Sequence, residues 1–349
     1  MSVAGRVRGV VERVAAASRR HDASSAAIAR RAVALRARGI RLEEADLAGL
    51  LDPKLPLERC GDFVPRRALL PVLRRFNAGP KEAIDDKARF AVAAARHGLP
   101  VPRTLAVVSP PFAVDDHGRP VHEERAFRAW LEDTPASFVV KPAVGMGGRD
   151  VEFYERSGDR VSIRGREMTA LELRRKLLGP GARGRAIVQE RLRSHPALAG
   201  LSGSDALQCT RMVTVVTRAG AVELLFAFQK LIVGAHLVDN SVGVRTGNLV
   251  VSVDASGTLG AAYREGAPCP VHPVTGRTIA GSVVPDWDAA RALVERAAQH
   301  FVSLRAIGWD VGHTADGPVL VEGNTEWVAF GERGFWYSTR DLARLEALY

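Results

Sequence analysis

Cysteine, lysine, aromatics and long apolar runs are all scarce in this chain, and each scarcity narrows what it can be. The three cysteines, Cys60, Cys209 and Cys269, are far apart and show neither CxxC nor histidine spacing, which argues against a disulfide framework and against zinc. No stretch approaches the roughly 18 consecutive apolar residues of a membrane span, and the N-terminus alternates arginine with small apolar residues where a signal peptide would carry an apolar core. A cytoplasmic protein without a membrane span is expected. The net charge of +10 invites a nucleic-acid reading, but aromatics amount to 6% and are not interleaved with the basic residues. No recognition motif is present either, so nucleic acid is not an expected partner. Of the 49 basic residues, lysine supplies those at 54, 81, 87, 141, 176 and 230 and arginine the rest, a skew that suits a GC-rich genome. Against that background each retained lysine stands out as a compact point charge.

What is present is 349 residues with 46% hydrophobic content, enough for a substantial core and two or three lobes. Residues 1 to about 50 read as Ala/Arg-rich helices, with Ile28, Ala32, Leu35 and Ile40 at helical intervals. Such helices can dimerise or meet an acidic partner, but packing on their own protein is the simpler expectation. Residues 51–80 carry Pro53, Pro56, Pro65, Pro71 and Pro80 and read as an irregular connector. From Asp85 the texture changes. A helix opens at Asp85-Asp86-Lys87 and stops at His97-Gly98; strands follow at 104–108, 137–141 and 186–190, then two long β-like runs at 209–217 and 222–228. Asp286 opens an amphipathic helix with Trp287, Ala290, Leu293, Val294 and Ala297 at spacings of three and four. Interleaved strands and helices make the class α+β, with antiparallel sheets expected near the C-terminus. The expected division is a helical extension and connector at 1–82, an N-terminal lobe at 83–190 and a C-terminal lobe at 191–349.

Residues 307–324 carry the strongest chemical signal. Asp316-Gly317 is a hairpin turn between two short apolar strands. A three-residue loop, Ala315 to Gly317, sets Thr314 opposite Pro318 and therefore Asp310 opposite Glu322. Pro318, which cannot donate a ladder hydrogen bond, leaves that register open by one residue. Asn324, two residues after Glu322, shares its face. Three oxygen donors thus converge, as hard cations such as Mg²⁺ require. The plain alternative is a surface hairpin with solvated acids. Val319-Leu320-Val321 argues for burial, where crowded unpaired carboxylates would be costly without a cation.

A second signal is Lys141, at the end of an apolar strand and followed by Gly145, Gly147 and Gly148. A lysine there can reach nucleotide phosphates while glycine N–H groups close over them. The GKS/T of a P-loop is absent. Taken alone, the motif is matched by any flexible loop; together with the C-terminal acids it points to ATP.

On these residues the sequence resembles the ATP-grasp superfamily, which includes D-alanine:D-alanine ligase, biotin carboxylase and glutamate ligases, over about Asp85 to Phe330. Phe-Val-Val-Lys-Pro-Ala-Val-Gly-Met-Gly-Gly-Arg-Asp-Val, Gln-Glu-Arg-Leu, Val-Asp-Asn, His-Pro-Val-Thr-Gly and Val-Glu-Gly-Asn are similar to its sugar-transfer-associated or alpha-L-glutamate-ligase-like branch. The resemblance implies a fold that clamps ATP between two α+β lobes, with the glycine loop as a lid. It places Lys87 and Lys141 on ATP phosphates and makes Gln189, Glu190 and Leu192 part of an adenine-reading hinge. In that hinge the Glu190 carbonyl would accept and the Leu192 N–H would donate. Asp310, Glu322 and Asn324 match magnesium ligands, and Arg211 a basic residue facing the phosphoryl group and acyl intermediate. Lys230, His195, Asn240 and Asn248 are further candidates. Each has a local alternative: Lys87 as a helix-surface charge, Glu190 as an exposed strand end, Arg211 as a salt-bridge partner. One departure stands out. Many of these ligases place an arginine two residues before the first metal acid, where this chain has Gly308, so Arg211 or Arg245 must stand in or the acceptor geometry differs.

The expected activity is an ATP- and Mg²⁺-dependent carboxylate-amine ligase acting on small-molecule or peptide carboxylate and amine substrates through an acyl phosphate. The alternatives are a kinase using the same ATP site on a hydroxyl, and a nucleotide-binding regulator without turnover.

Overall fold

The computed structural model describes residues 3–145, 148, 150–240, 246–327 and 337–349. Helices α1 (Val3–His21), α2 (Ser25–Ala37) and α3 (Leu42–Leu47) come first, followed after a 3₁₀ turn by α4 (Arg66–Phe76). Two short steps, α5 (Glu82–Asp85) and α6 (Lys87–Arg96), lead to β1 (Thr104–Ser109), β2 (Phe112–Asp115) and α7 (Glu124–Asp133). Then follow β3 (Ser137–Pro142), β4 (Glu152–Ser157), β5 (Arg160–Ile163), β6 (Arg166–Thr169), α8 (Ala170–Leu178) and β7 (Ala186–Glu190). After α9 (Pro196–Ser202) the chain forms β8 (Cys209–Val216), β9 (Val222–Leu231), β10 (Leu249–Val253), β11 (Leu259–Arg264) and β12 (Ala267–Pro268). It ends with α10 (Trp287–His300), β13 (Ala306–Thr314), β14 (Gly317–Asn324) and α11 (Thr339–Ala347).

The strands make two seven-stranded sheets, ordered β2-β1-β7-β3-β4-β5-β6 and β12-β11-β10-β9-β8-β13-β14. Neighbours pair antiparallel in both, so the expectation of antiparallel sheets holds for the whole α+β fold. Strand alternation then decides what each face carries. In the first sheet Phe138, Val140, Tyr154 and Val188 point into a core with Phe127, Trp130 and Leu131 of α7 and Leu173 and Leu177 of α8. Their neighbours Val139, Lys141 and Phe153 point the other way and line a cleft.

In the second sheet Met212, Ala227, Trp309 and Val311 bury against the apolar face of α10 and against Phe90 and Ala94 of α6. The opposite face is divided along its length. At one end Val213, Val215, Phe226, Phe228 and Ala306 pack under Ile28, Leu35, Leu69, Leu73, Phe76, Trp327 and Tyr337. At the other end the same face presents Arg211, Lys230, Asp310, Glu322 and Asn324 to the cleft. The N-terminal helices therefore continue the surface on which the polar site is built.

The proline-rich stretch departs from expectation, since α4 is a regular helix with Pro71 inside it. A proline there removes one ladder hydrogen bond, at a cost of about 3 kcal/mol. Burial of Leu69, Val72, Leu73 and Phe76 along one stripe offsets it. Helix α6 begins where the sequence places it. Asp86 accepts from the N–H groups of Ala88 and Arg89, and Gly98 takes the left-handed conformation (φ +64°) that ends the helix.

Candidate active site

The C-terminal hairpin supplies the floor of the site. Asp310 pairs with Glu322 as expected, but by a different route. The turn has two loop residues, with Thr314 opposite Gly317 and His313 opposite Pro318, so the register begins one residue off. A bulge between Asp310 and Val311 restores it, because Val311 faces Leu320 and the extra residue is Val321. Glycine suits position 317, where φ is +111°. Asn324, opposite Gly308, donates through its amide nitrogen to the Gly308 carbonyl at 3.3 Å and to Glu322 at 3.5 Å.

Asp310 does not sit among unpaired acids. The Arg211 guanidinium grips it with two bonds, Nε to Oδ1 at 2.6 Å and Nη2 to Oδ2 at 2.9 Å. Lys230 Nζ approaches Oδ1 at 3.1 Å and also contacts Asp239 at 3.5 Å. Asp239 in turn accepts from the N–H of Cys209 at 2.7 Å. Two cations and two carboxylates form a closed, buried network, so the crowding expected from the sequence is relieved by neighbouring strands. Burial pushes the Asp310 carboxyl up, but Arg211 and Lys230 more than offset this and hold it well below the usual carboxylate range. For Lys230, burial favours the neutral amine, yet the charges of Asp239 and Asp310 win and raise it above an ordinary lysine. Asp239 shares its amine with Asp310, and burial leaves its carboxyl raised. Burial and the adjacent Asp239 also push the Cys209 thiol well up, so it lines the cleft as an inert neutral group.

The facing wall comes from the first sheet and from α6. Lys141 donates to Gln189 Oε1 at 3.2 Å, and among the described residues no acid lies within ion-pair distance of it. Burial lowers its amine, with the charge of Glu322 opposing. A half-buried ammonium without an acid partner is well placed to take an anion from solution. Lys87 bridges the walls: its Nζ donates to the Gly145 carbonyl at 2.8 Å and lies 3.3 Å from Glu322 Oε2. Its place is fixed from behind, where Lys87 N–H donates to the Ala143 carbonyl at 2.8 Å and Arg185 binds the capping Asp86 at 2.6 Å.

The cleft thus gathers Lys87, Lys141, Gly145, Gly148, Glu190, Leu192, Arg211, Lys230, Asn240, Asp310, Glu322 and Asn324. Glu190 uses its side chain to accept from Arg103 N–H at 2.7 Å. Three expected residues stand elsewhere. Gln189 is buried behind the lining, between Lys141 and the Pro102 carbonyl. His195 caps α9, accepting from Ala197 N–H at 3.1 Å. Asn248 holds a loop together, accepting from Val233 N–H and donating to the Val238 and Asn240 carbonyls. Gly147 and Arg245 lie outside the described residues. Sequence reading missed Asp239, although it is the acid of the Val-Asp-Asn motif, and missed Arg191 and Phe153, which also line the cleft. Asp239 and Arg191 lie within the quoted motifs, but a motif does not tell which of its side chains face the cleft.

For a hard cation the donors at hand are the Asp310 and Glu322 carboxylates and the Asn324 amide oxygen, a set whose chemistry fits Mg²⁺. Among the described residues no group of three His, Cys, Asp or Glu side chains could hold a metal, so Asn324 is needed as the third donor.

Two α+β units facing each other across a lysine-bearing cleft, with a glycine loop on one and the acid hairpin on the other, make up the ATP-grasp fold. The chain belongs to the sugar-transfer associated ATP-grasp family, whose model matches residues 73–332. Among solved structures it is similar to the D-cycloserine synthetase DcsG, at 20% identity and a TM-score of 0.41 over 79% of this chain and 71% of that one. The ATP-grasp ligase PsnB, complexed with minimal precursor, matches at 16% identity and a TM-score of 0.40, over 78% of this chain and 62% of that one. The L-amino acid ligase from Bacillus licheniformis matches at 12% identity and 0.38, over 72% and 41%. The chain thus spans less than two thirds of the length of the latter two. No curated protein sequence matches it. No helix among the described residues is long and apolar enough to cross a membrane.

Proposed function

We propose that the protein is an ATP-dependent carboxylate-amine ligase that forms an amide through an acyl phosphate. The observation that carries this reading is the convergence of Lys87, Lys141, Lys230 and Arg211 with Asp310, Glu322 and Asn324 in one cleft between the two sheets. A kinase would need the same ATP site, so the ligase assignment draws on the family and on the arginine held beside the acids.

In the proposed reaction a substrate carboxylate oxygen attacks the γ-phosphorus of ATP and ADP leaves. The amine nitrogen then attacks the acyl carbon, the C–O bond to phosphate breaks with its electron pair, and the amine proton is lost to phosphate or water. Lys141 and Lys87 hold the phosphates, Gly145 and Gly148 let the loop approach them, and Glu190 and Leu192 offer main-chain groups to adenine. Asp310, Glu322 and Asn324 would hold Mg²⁺, which when bound neutralises charge on the phosphates. Arg211 stabilises the oxyanion in place of the arginine that Gly308 lacks. The protein's contribution is positioning and charge neutralisation, with little need for a strong general base. Amino acids, peptide termini and uronic acids are the acid classes to try.

The test is a matrix of acids and amines scored for ADP release, with mass spectrometry of the product and hydroxylamine replacing the amine in parallel. An amide, free phosphate and a trapped hydroxamate are expected. A stable phosphate ester on a hydroxyl with no hydroxamate would replace the ligase by a kinase.

A further inference from the structure

Building on the ligase reading, we propose that Arg211 is a metal-released arginine. Arg211 and Lys230 occupy Asp310 in place of a divalent cation, and arrival of the metal transfers Asp310 to it and frees the guanidinium for the reacting acyl group.

As it stands Asp310 is crowded by two cations, with one acceptor position left open. Its Oδ1 already receives Arg211 Nε at 2.6 Å and Lys230 Nζ at 3.1 Å, and Oδ2 receives Arg211 Nη2 at 2.9 Å. A carboxylate offers about four acceptor positions, and three are filled by charged donors. Mg²⁺, which takes its oxygens at roughly 2.0–2.1 Å, would meet both a guanidinium and an ammonium at close range. The network of Arg211, Lys230, Asp310 and Asp239 is neutral, so a further double positive charge there is poorly tolerated in a buried place.

The two cations are not equally tied. Lys230 has Asp239 as a second anchor at 3.5 Å. Arg211 has both its side-chain bonds on Asp310 and, among the described residues, no other partner. Competition for Asp310 therefore moves Arg211. Its path is set by Gly308: a Cβ there would lie 3.2 Å from Arg211 Cδ and 3.0 Å from Trp327 Cβ, so the arginine stem occupies the space that a side chain at 308 would need. Glu322 pairs with Asp310 on the next strand, and its charge adds to the pull on the guanidinium. The glycine that departs from the family pattern and the arginine on the neighbouring strand are one arrangement: the cation reaches the site from β8, through space left empty on β13.

The test measures Mn²⁺ binding by electron paramagnetic resonance on the full chain without nucleotide, for wild type, Arg211→Gln and the double variant Arg211→Gln/Asp310→Asn. Arg211→Gln should bind Mn²⁺ at least tenfold more tightly, and the double variant should lose that gain. As a measurement that needs no variant, phenylglyoxal labelling of Arg211 in the wild type, read by peptide mass spectrometry, should speed up several-fold when Mg²⁺ is added. Unchanged Mn²⁺ affinity in Arg211→Gln, or labelling indifferent to Mg²⁺, overturns the exchange. A wild-type protein that binds Mn²⁺ with a non-hydrolysable ATP analogue in the same series keeps the ligase reading intact whatever Arg211 does. Absence of that ternary binding defeats the ligase reading instead.

Discussion

Asp310 and Glu322 face each other across one hairpin, yet neutralising them should have very unequal effects on stability. Asp310 is 5% exposed and is the anchor for Arg211 and Lys230. Asp310→Asn at neutral pH leaves the shape nearly unchanged but strands the Arg211 charge, since the one other acid of the network, Asp239, is already matched to Lys230. Removing one partner from a buried ion pair costs about 3–5 kcal/mol. With an unfolding entropy of about 2.1 cal/mol/K per residue over the 349 residues, each kcal/mol corresponds to about 1.4 °C, so the melt should fall by roughly 4–7 °C. The Glu322 side chain is 23% exposed, its ion pair with Lys87 spans 3.3 Å, and Lys87 keeps the Gly145 carbonyl without it. Glu322→Gln should therefore change stability by no more than about 1 kcal/mol. Both variants should be inactive. The assay is calorimetric or urea unfolding without nucleotide and metal, alongside ADP release. An Asp310→Asn melt within about 2 °C of wild type, or a Glu322→Gln loss as large as that of Asp310→Asn, would refute the reading of this network as a neutral buried unit.

Gly308→Ala brings a methyl to 3.0 Å from Trp327 Cβ and 3.2 Å from Arg211 Cδ, so a loss of about 1–3 kcal/mol is expected from overpacking; an unchanged urea midpoint would show that neither neighbour is fixed. His313 is 1% exposed and burial lowers it to about 4 from 6.5. Its folded pKa lies below the unfolded one, so its contribution is complete above about pH 6.5 and lost as pH falls toward 4; between pH 7.5 and 5 the chain should lose about 2 kcal/mol through this residue. Denaturation at the two pH values checks this, and His313→Gln should flatten the difference. Leu35→Ala, at a fully buried position on α2, should lower the stability of the chain by about 2–5 kcal/mol in a single transition. A separate early transition, with the cleft still able to bind nucleotide, would make the N-terminal helices an independent unit.

The local parts of the site are legible in the chain's residues. Asp86 caps a helix that starts at Lys87, an apolar strand ends at Lys141, and an Asp-Gly turn closes a hairpin bearing Asp310, Glu322 and Asn324. Each rests on interactions within a few residues, which turn chemistry, capping and alternation encode directly. Even there the register is reached by another route than the three-residue loop expected, for a two-residue loop and a bulge at Val321 together set Asp310 opposite Glu322. The rest lies beyond local reading. That Lys87, Lys141 and Lys230 share one cleft depends on two sheets facing each other. That Arg211 grips Asp310 depends on β8 pairing with β13, whose residues stand 99 apart in the chain. The proline-bearing α4 owes its form to the apolar end of the second sheet's face, whose burial outweighs what local propensity disfavours. Charges drawn together from distant strands leave no periodicity in sequence, so the neutrality of the network around Asp310 was a property of the tertiary structure alone.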